Sequence, residues 1–240
     1  MNGCIVKLCG IRTPTDALAA AEAGADLIGL VFAPSKRQVT LSAAQAIVDA
    51  LADVPARPRI VGLFVNAPVS QVLILTQAVP LEYIQLCGEE PPCYLDALDR
   101  PVLRSLPLGP HTSADEARAL ATTYFERRNP PLALVIDALV PGHYGGTGAV
   151  ANWELAAELA REVPIVLAGG LHPGNVAQAI EVVRPSGVDV SSGIERDGQK
   201  DPELMRKFVA SARAAFAALP EGPVDMANAH NRSMRWKEKR

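Results

Sequence analysis

Residues 4–32 read CIVKLCGIRTPTDALAAAEAGADLIGLVF. An apolar run at 4–9 is followed by an alanine-rich segment at 14–24 and by a second apolar run at 27–32. Short apolar runs next to glycine and proline are typical of buried strands, and the alanine-rich segment predicts a helix. A helix between two strands is the connection that parallel pairing needs. The segment therefore predicts a strand–helix–strand unit with parallel strands.

The same alternation continues along the chain. The predicted strands are 4–9, 27–32, 59–65, 82–86, 101–105, 132–136, 164–168 and 187–190. The predicted helices are 14–24, 42–53, 68–79, 91–98, 112–127, 151–162, 173–184 and 201–218. Eight such units in 240 residues favour a closed barrel over an open sheet. We therefore predict an α/β fold, a single-domain (β/α)8 TIM barrel over residues 1–219.

Residues 220–240 form a polar segment after the last predicted helix. From 221 onward it carries five Lys or Arg against three Asp or Glu and lacks periodicity. Such composition predicts a mobile tail outside the barrel. The alternative is that its basic tip, residues 236–240, binds a partner.

Composition restricts the class of protein. Hydrophobic residues make up 49% and charged residues 20%, as in an ordinary soluble domain with a large core. The net charge of −3 gives no reason to expect nucleic-acid binding. No signal-peptide pattern and no apolar run near about 20 residues is present, so a membrane span is not predicted. Four cysteines without a C-x-x-C pair favour reduced thiols in the cytoplasm over a zinc site.

Helix boundaries carry their own signals. Proline follows Thr13 and His172, at the first turn of two predicted helices. Ser42 and Ser113 precede alanine-rich segments and are predicted N-caps, and Gly24 is predicted to end the first helix.

Cys9 closes the first strand and Gly10 turns the chain directly after it. Alternate residues of a strand face the same way, so Lys7 lies on the same side as Cys9. In a barrel, that side at the strand end is the mouth where such enzymes place their chemistry. Two interpretations are open: a reactive thiol, or a small buried apolar side chain.

Asp137 ends the apolar run 132–136 and precedes the glycine-rich segment 140–148. A carboxylate there suits a barrel mouth, although capping of the next turn is an alternative. Arg37 follows the second strand, where a guanidinium can clamp a carboxylate in bidentate fashion or can simply be solvated.

Glycine and serine follow the last two strands. The segments are Ala168-Gly169-Gly170-Leu171 and Val190-Ser191-Ser192-Gly193. Loops after strands seven and eight are the usual phosphate site of such barrels, because they expose backbone N–H groups and hydroxyls together. We predict a phosphate site here over two ordinary tight turns.

Several blocks resemble the phosphoribosylanthranilate isomerase family of tryptophan biosynthesis. They are residues 6–11, 62–66, 84–91, Asp137 with 144–148, 167–176 and 188–195 with Gly198, Lys200 and Asp201. The resemblance spans residues 4 to about 216. The chain departs from it at Cys87, where the family often has His.

The resemblance implies a barrel that performs an Amadori rearrangement of N-(5-phosphoribosyl)anthranilate without metal or organic cofactor. It implies that Cys9 is the general base and Asp137 the general acid. Arg37, next to Lys36, corresponds to the contact with the anthranilate carboxylate. Gly170, Ser191, Ser192 and Gly193 correspond to the phosphate site, and Lys7 is a candidate support for the thiol. The expected partner is this small phosphosugar-anthranilate substrate, and both a monomer and a homodimer are open.

Three other functions remain at this point. A histidine-pathway sugar isomerase would typically have an aspartate where this chain has Cys9. An aldolase would use Lys7 as a Schiff-base amine. A non-catalytic barrel would bind a phosphate ligand as a partner subunit.

Overall fold

The computed structural model describes residues 4–108, 112–138 and 152–220. Eight parallel strands form a closed barrel in the order of the chain. They are β1 (Ile5–Cys9), β2 (Leu27–Val31), β3 (Arg59–Phe64), β4 (Tyr83–Leu86), β5 (Val102–Leu108), β6 (Ala133–Ala138), β7 (Ile165–Leu167) and β8 (Gly187–Val190). The predicted TIM barrel is confirmed, and every predicted strand lies within two or three residues of an observed one.

Helices follow seven of the strands. They are α1 (Pro14–Glu22), α2 (Leu41–Leu51), α3 (Val69–Ala78), α4 (Ala114–Phe125), α5 (Trp153–Ala160), α6 (Val176–Val183) and α7 (Pro202–Ala218). After β4 the connection is a 3₁₀ helix, Pro92–Ala97, a type of helix that is common in short connections. None of the helices that the structure describes is both long and apolar enough to cross a membrane.

Two features differ from the predicted boundaries. Thr40, not Ser42, caps α2: its backbone is extended and its hydroxyl accepts a hydrogen bond from the Ala43 N–H at 3.1 Å. Helix α6 begins three residues after the predicted 173, because the Asn175 side chain accepts from the His172 N–H at 2.8 Å and holds a turn. Ser113 does cap α4, in a full capping box with Glu116.

A short antiparallel hairpin after β8 was not predicted. Its strands are β9 (Glu195–Arg196) and β10 (Gln199–Lys200), joined through Asp197 and Gly198, both at positive φ. The predicted tail from 221 onward and the glycine-rich segment 140–148 lie outside the described residues.

Alternation along the strands divides the core into two layers. One face of each strand packs under the helices in a large apolar cluster. The other face fills the barrel, where a lower cluster contains Ile5, Leu27, Val61, Tyr83, Leu103, Ala133, Val135, Val166 and Ala168. A smaller cluster near the mouth contains Cys9, Val31, Ala33, Leu63 and Cys87. This inward face also includes the buried polar side chains of Lys7, Gln85, Ser105 and Asp189.

A buried ion pair braces the β3–β4–β5 side of the barrel. Arg104 on β5 donates to the Glu90 carboxylate at 2.9 Å and to the carbonyls of Leu86 and Gly88 at 3.0 and 2.8 Å. Glu90 also accepts from the Asn66 N–H at 2.7 Å. The pair therefore fixes the turn that follows β4 and carries Cys87.

The first prediction concerns this pair. Glu90→Gln should lower the free energy of unfolding by about 3–5 kcal/mol, because it leaves the Arg104 guanidinium buried without its counter-charge. Urea denaturation followed by circular dichroism measures the change. The matched control is Glu89→Gln at the exposed neighbouring position, which should change stability by about 0.5 kcal/mol or less. Equal stability of the two variants would contradict the bracing role.

Candidate active site

The mouth of the barrel collects the predicted site residues. Because all eight strands are parallel, their carboxyl ends meet at one end of the barrel. Cys9 is the last residue of β1, and Asp137 is the last but one of β6. Arg37 follows β2, Gly170 follows β7, and Ser191 follows β8. The fold therefore brings together residues that are far apart in the sequence.

Lys7 and Asp189 form an ion pair inside the barrel. They are register partners of β1 and β8, and Lys7 Nζ lies 2.8 Å from Asp189 Oδ2. Lys7 is fully buried and Asp189 is 7% exposed. Burial lowers the pKa of Lys7, but Asp189 and Cys9 more than offset it, so the net pKa lies above its ordinary value. The amine is therefore protonated at neutral pH.

Cys9 is a buried thiol next to this lysine. Gly29 on β2 makes room for both: a Cβ there would lie 2.7 Å from Cys9 Sγ and 3.1 Å from Lys7 Nζ. Burial raises the pKa of Cys9, and the largest opposing effect is the charge of Lys7. The resting thiol is therefore neutral at physiological pH, with a fixed cation at hand to stabilise a thiolate.

Arg37 is buried and held by Glu195. Its Nε and Nη2 donate to the two carboxylate oxygens of Glu195 at 2.6 and 2.9 Å, so Nη1 has no contact with that carboxylate. The side chain crosses Gly10, where a Cβ would lie only 2.5 Å from Arg37 Cδ. Lys36 is exposed instead. The structure thus places Arg37 at the mouth and Lys36 at the surface.

Glu195 also contacts Lys200. Lys200 Nζ lies 2.9 Å from Glu195 Oε1 and donates to the Ser191 carbonyl at 2.8 Å. Ser191 in turn donates its hydroxyl to the Cys9 carbonyl at 3.1 Å. One network therefore joins Arg37, the loop after β8 and the strand that carries the thiol.

The loops after β7 and β8 touch at Gly193. A Cβ at Gly193 would lie 1.9 Å from the Leu171 carbonyl oxygen, so only glycine fits. Gly170 has a φ of 64°, which glycine adopts without strain. Ser192 opens a 3₁₀ turn that ends at Ile194. The predicted phosphate residues are thereby brought to one place.

Asp137 lies on the inward-facing set of β6 and is half-buried. It follows Ala133 and Val135 on that face and is the register partner of Pro107. Its strand end therefore opens on the same mouth as Cys9.

Cys87 forms a neutral polar group with two neighbours. Its sulfur lies 3.1 Å from Ser105 Oγ, and Gln85 Nε2 donates to both at 3.3 Å. Burial raises the pKa of Cys87 to about 12. The Cys87 thiol is therefore neutral at physiological pH.

Three further residues at the site, Asp189, Glu195 and Lys200, had no role predicted from the sequence. A usable signal was present, because Asp189 is a charge on the inward-facing set of an otherwise apolar strand, as Lys7 is. Glu195 and Lys200 gave no comparable signal, since the hairpin that joins them was not predicted.

A closed barrel of eight parallel strands with polar side chains at their carboxyl ends is the architecture of the (β/α)8-barrel enzymes. A family model described as N-(5'phosphoribosyl)anthranilate (PRA) isomerase matches residues 6–211. The chain belongs to this family.

Named relatives agree with that assignment. An N-(5'-phosphoribosyl)anthranilate isomerase of Roseiflexus castenholzii is 47% identical over 216 residues, covering 88% of this chain and 99% of the relative. The phosphoribosyl anthranilate isomerase structure from Thermotoga maritima is 35% identical with a TM-score of 0.74, covering 88% and 99%. A third structure, in complex with reduced 1-(o-carboxyphenylamino)-1-deoxyribulose 5-phosphate, is 34% identical with a TM-score of 0.71, covering 88% and 99%.

The second prediction concerns the pH dependence of the Glu195 network. Burial raises the pKa of Glu195, but Arg37 and Lys200 bring it down to about 2, below the ordinary 4.5. A folded-state pKa below the unfolded one stabilises the fold above about pH 4.5, and this contribution is lost as the pH falls towards 2. Glu195→Gln should therefore flatten the decline of the unfolding free energy between pH 5 and 3.

Urea denaturation at several pH values measures this slope. The control is Glu22→Gln at an exposed position, which should keep the wild-type slope. An unchanged slope in Glu195→Gln would show that the network does not hold this carboxylate ionised.

Proposed function

We propose that this chain isomerises N-(5'-phosphoribosyl)anthranilate to 1-(2-carboxyphenylamino)-1-deoxyribulose 5-phosphate, the third step from chorismate to tryptophan. This is an aldose–ketose isomerisation, an Amadori rearrangement. The observation that carries the proposal is that Cys9 and Asp137, which match the family's thiol and carboxylate, lie at the carboxyl ends of two strands that meet at one barrel mouth.

In the proposed mechanism, Asp137 donates a proton to the ring oxygen, and the sugar opens to a Schiff base. The Cys9 thiolate then removes the C2′ proton. The electron pair of that C–H bond forms the C1′–C2′ double bond, and the C=N π pair returns to the nitrogen to give an enolamine. The enolamine becomes the ketone product when C1′ gains a proton and the C2′ hydroxyl loses one. Such general acid and base steps each contribute about 10²–10⁴-fold to the rate.

The ends of the substrate have separate binding groups in this proposal. Arg37 binds the anthranilate carboxylate through the guanidinium edge that Glu195 leaves uncovered. Gly170, Ser191, Ser192 and Gly193 bind the phosphate through backbone N–H groups and hydroxyls. The contact of Gly193 with Leu171 supports this part, because it brings the two loops together. The site uses no metal or organic cofactor, and the enzyme works in the cytoplasm.

The alternatives from the sequence are less well supported. A Schiff-base aldolase needs a neutral amine, whereas Lys7 is held protonated by Asp189 at 2.8 Å. A histidine-pathway isomerase would typically have an aspartate in place of Cys9. The family model that matches this chain is that of PRA isomerase. A non-catalytic partner subunit is tested by growth rescue of a tryptophan auxotroph that lacks this isomerase. Failure of soluble, folded protein to rescue growth would overturn the proposed function.

The third prediction is that Cys9→Ser and Asp137→Asn each lower kcat by about 10²–10⁴-fold, because each removes one proton-transfer group. Steady-state kinetics on the purified variants measures this loss, and circular dichroism checks that the fold is kept. Turnover close to wild type in either variant would contradict the role of that residue.

The fourth prediction concerns Arg37. Arg37→Met should raise KM by about ten- to a hundredfold, because a charge-assisted hydrogen bond contributes about 1.5–3 kcal/mol. The matched control is Lys36→Met, the exposed neighbour, which should leave KM within about twofold of wild type. A larger effect from Lys36→Met than from Arg37→Met would assign the carboxylate contact to Lys36.

A further inference from the structure

The interior of the barrel contains an ion pair that transfers no proton in the proposed mechanism. Taking Lys7 and Asp189 out of water costs several kcal/mol for each ion, and well-packed apolar residues would fill the space at least as well. The pair lies directly below the mouth, on the strand that ends in Cys9 and on its neighbour β8. The pair is therefore close enough to Cys9 for its charges to act on the thiol.

Asp189 depends on Lys7 for its charge compensation. Its Oδ2 is 2.8 Å from Lys7 Nζ, while its Oδ1 is buried with no hydrogen-bond partner in the described part of the chain. The carboxylate therefore holds the ammonium group strongly. The register of β1 and β8 fixes both side chains opposite each other.

Lys7 has a second acidic neighbour in Cys9. The space that Gly29 leaves open is bordered by Cys9 Sγ and by Lys7 Nζ, so one ammonium group serves both the thiol and the carboxylate. An ammonium group shared in this way stabilises a thiolate less than one that is bound to the thiol alone.

We propose that Asp189 and Lys7 act as opposed positioning residues for Cys9: Lys7 favours the thiolate, and Asp189 limits that effect by holding the same ammonium group. This inference rests on the proposed function of Cys9 as the general base. The physical advantage is a compromise, because an overly stabilised thiolate is plentiful but a weak base.

In the described part of the chain, other charged or titratable groups also lie near Cys9 at the barrel mouth. Lys200 favours the thiolate from the β9–β10 hairpin, but Glu195 binds its Nζ at 2.9 Å. Arg37 crosses Gly10 and is also bound to Glu195. Across the mouth, Cys87 is neutral, and Asp137 is the last residue but one of β6. Lys7 and Asp189 are the pair with opposite and direct effects on the thiol.

The pKa of the Cys9 thiol is shifted in the directions that this arrangement implies. Burial raises the pKa of Cys9 most, Lys7 lowers it, and Asp189 raises it. Removing the charge of Lys7 and removing the charge of Asp189 should therefore shift the thiol pKa in opposite directions. A purely structural role for the pair would not produce opposite shifts.

The experiment measures the pH dependence of Cys9 alkylation by iodoacetamide, with modification at Cys9 quantified by peptide mass spectrometry. Lys7→Met should raise the apparent pKa of the thiol by about one unit or more, and Asp189→Asn should lower it by about one unit. The acidic limb of the kcat profile should move in the same directions. An unchanged or raised thiol pKa in Asp189→Asn would overturn the proposal.

A double variant covers the case in which a single substitution prevents folding. Lys7→Met with Asp189→Asn removes both charges and leaves no unpaired buried ion, which proteins often tolerate. Its thiol pKa should lie above that of wild type, since the cation is lost. A value at or below wild type would overturn the role of Lys7.

Alkylation needs no substrate, so its outcome is independent of the proposed function. If the alkylation pKa shifts in the Lys7 and Asp189 variants while Cys9→Ser is fully active, Cys9 is not the general base but the ion pair does act on the thiol. If Cys9→Ser is inactive while the alkylation pKa is unchanged in the Lys7 and Asp189 variants, Cys9 remains the general base and the proposed effect of the pair is disproved.

Discussion

The parallel pairing of β1 with β8 is the contact on which the rest of the molecule depends. It closes the barrel and sets four residues of β1 opposite four of β8 in a fixed register. Without it, the first and last strands would be exposed edges at opposite ends of a sheet. With it, the strand that ends in Cys9 adjoins the loop that begins at Ser191, and the Ser191 hydroxyl reaches the Cys9 carbonyl.

This register also explains why charges occur inside an otherwise apolar barrel. Strand alternation makes Ile5, Lys7 and Cys9 face inward on β1, and Gly187 and Asp189 face inward on β8. A lysine at that depth would be costly alone, but the neighbouring strand supplies its carboxylate at 2.8 Å. The lower part of the barrel remains apolar, so polar groups are confined to the end where the loops carry the site.

Much of the fold was predictable because its signals are local. Eight apolar runs separated by helical segments gave the strands, since strands buried on both faces are continuously apolar. Ser113 acts as the helix cap that its position predicts, whereas Ser42 does not, because Thr40 two residues earlier has the extended backbone that a cap needs. The hairpin around Gly198 was missed because two strands of two residues leave no periodicity to detect.

The candidate site likewise contains residues that local sequence signals could place and residues that they could not. Cys9, Arg37 and Asp137 could be placed at the mouth because each follows or ends a recognisable strand. The partners of these residues could not, because the contact of Arg37 with Glu195 joins positions 158 residues apart. Long-range pairing depends on how the barrel closes and on side-chain packing, which no short segment of sequence specifies.

The burial of Cys9 has a consequence for the durability of the protein. Oxidants such as peroxide attack exposed thiolates, and a thiol that is 6% exposed and mostly protonated offers them little to attack. By contrast, Cys93 is exposed on the 3₁₀ helix after β4, away from β1. Oxidative damage should therefore reach Cys93 well before it reaches Cys9.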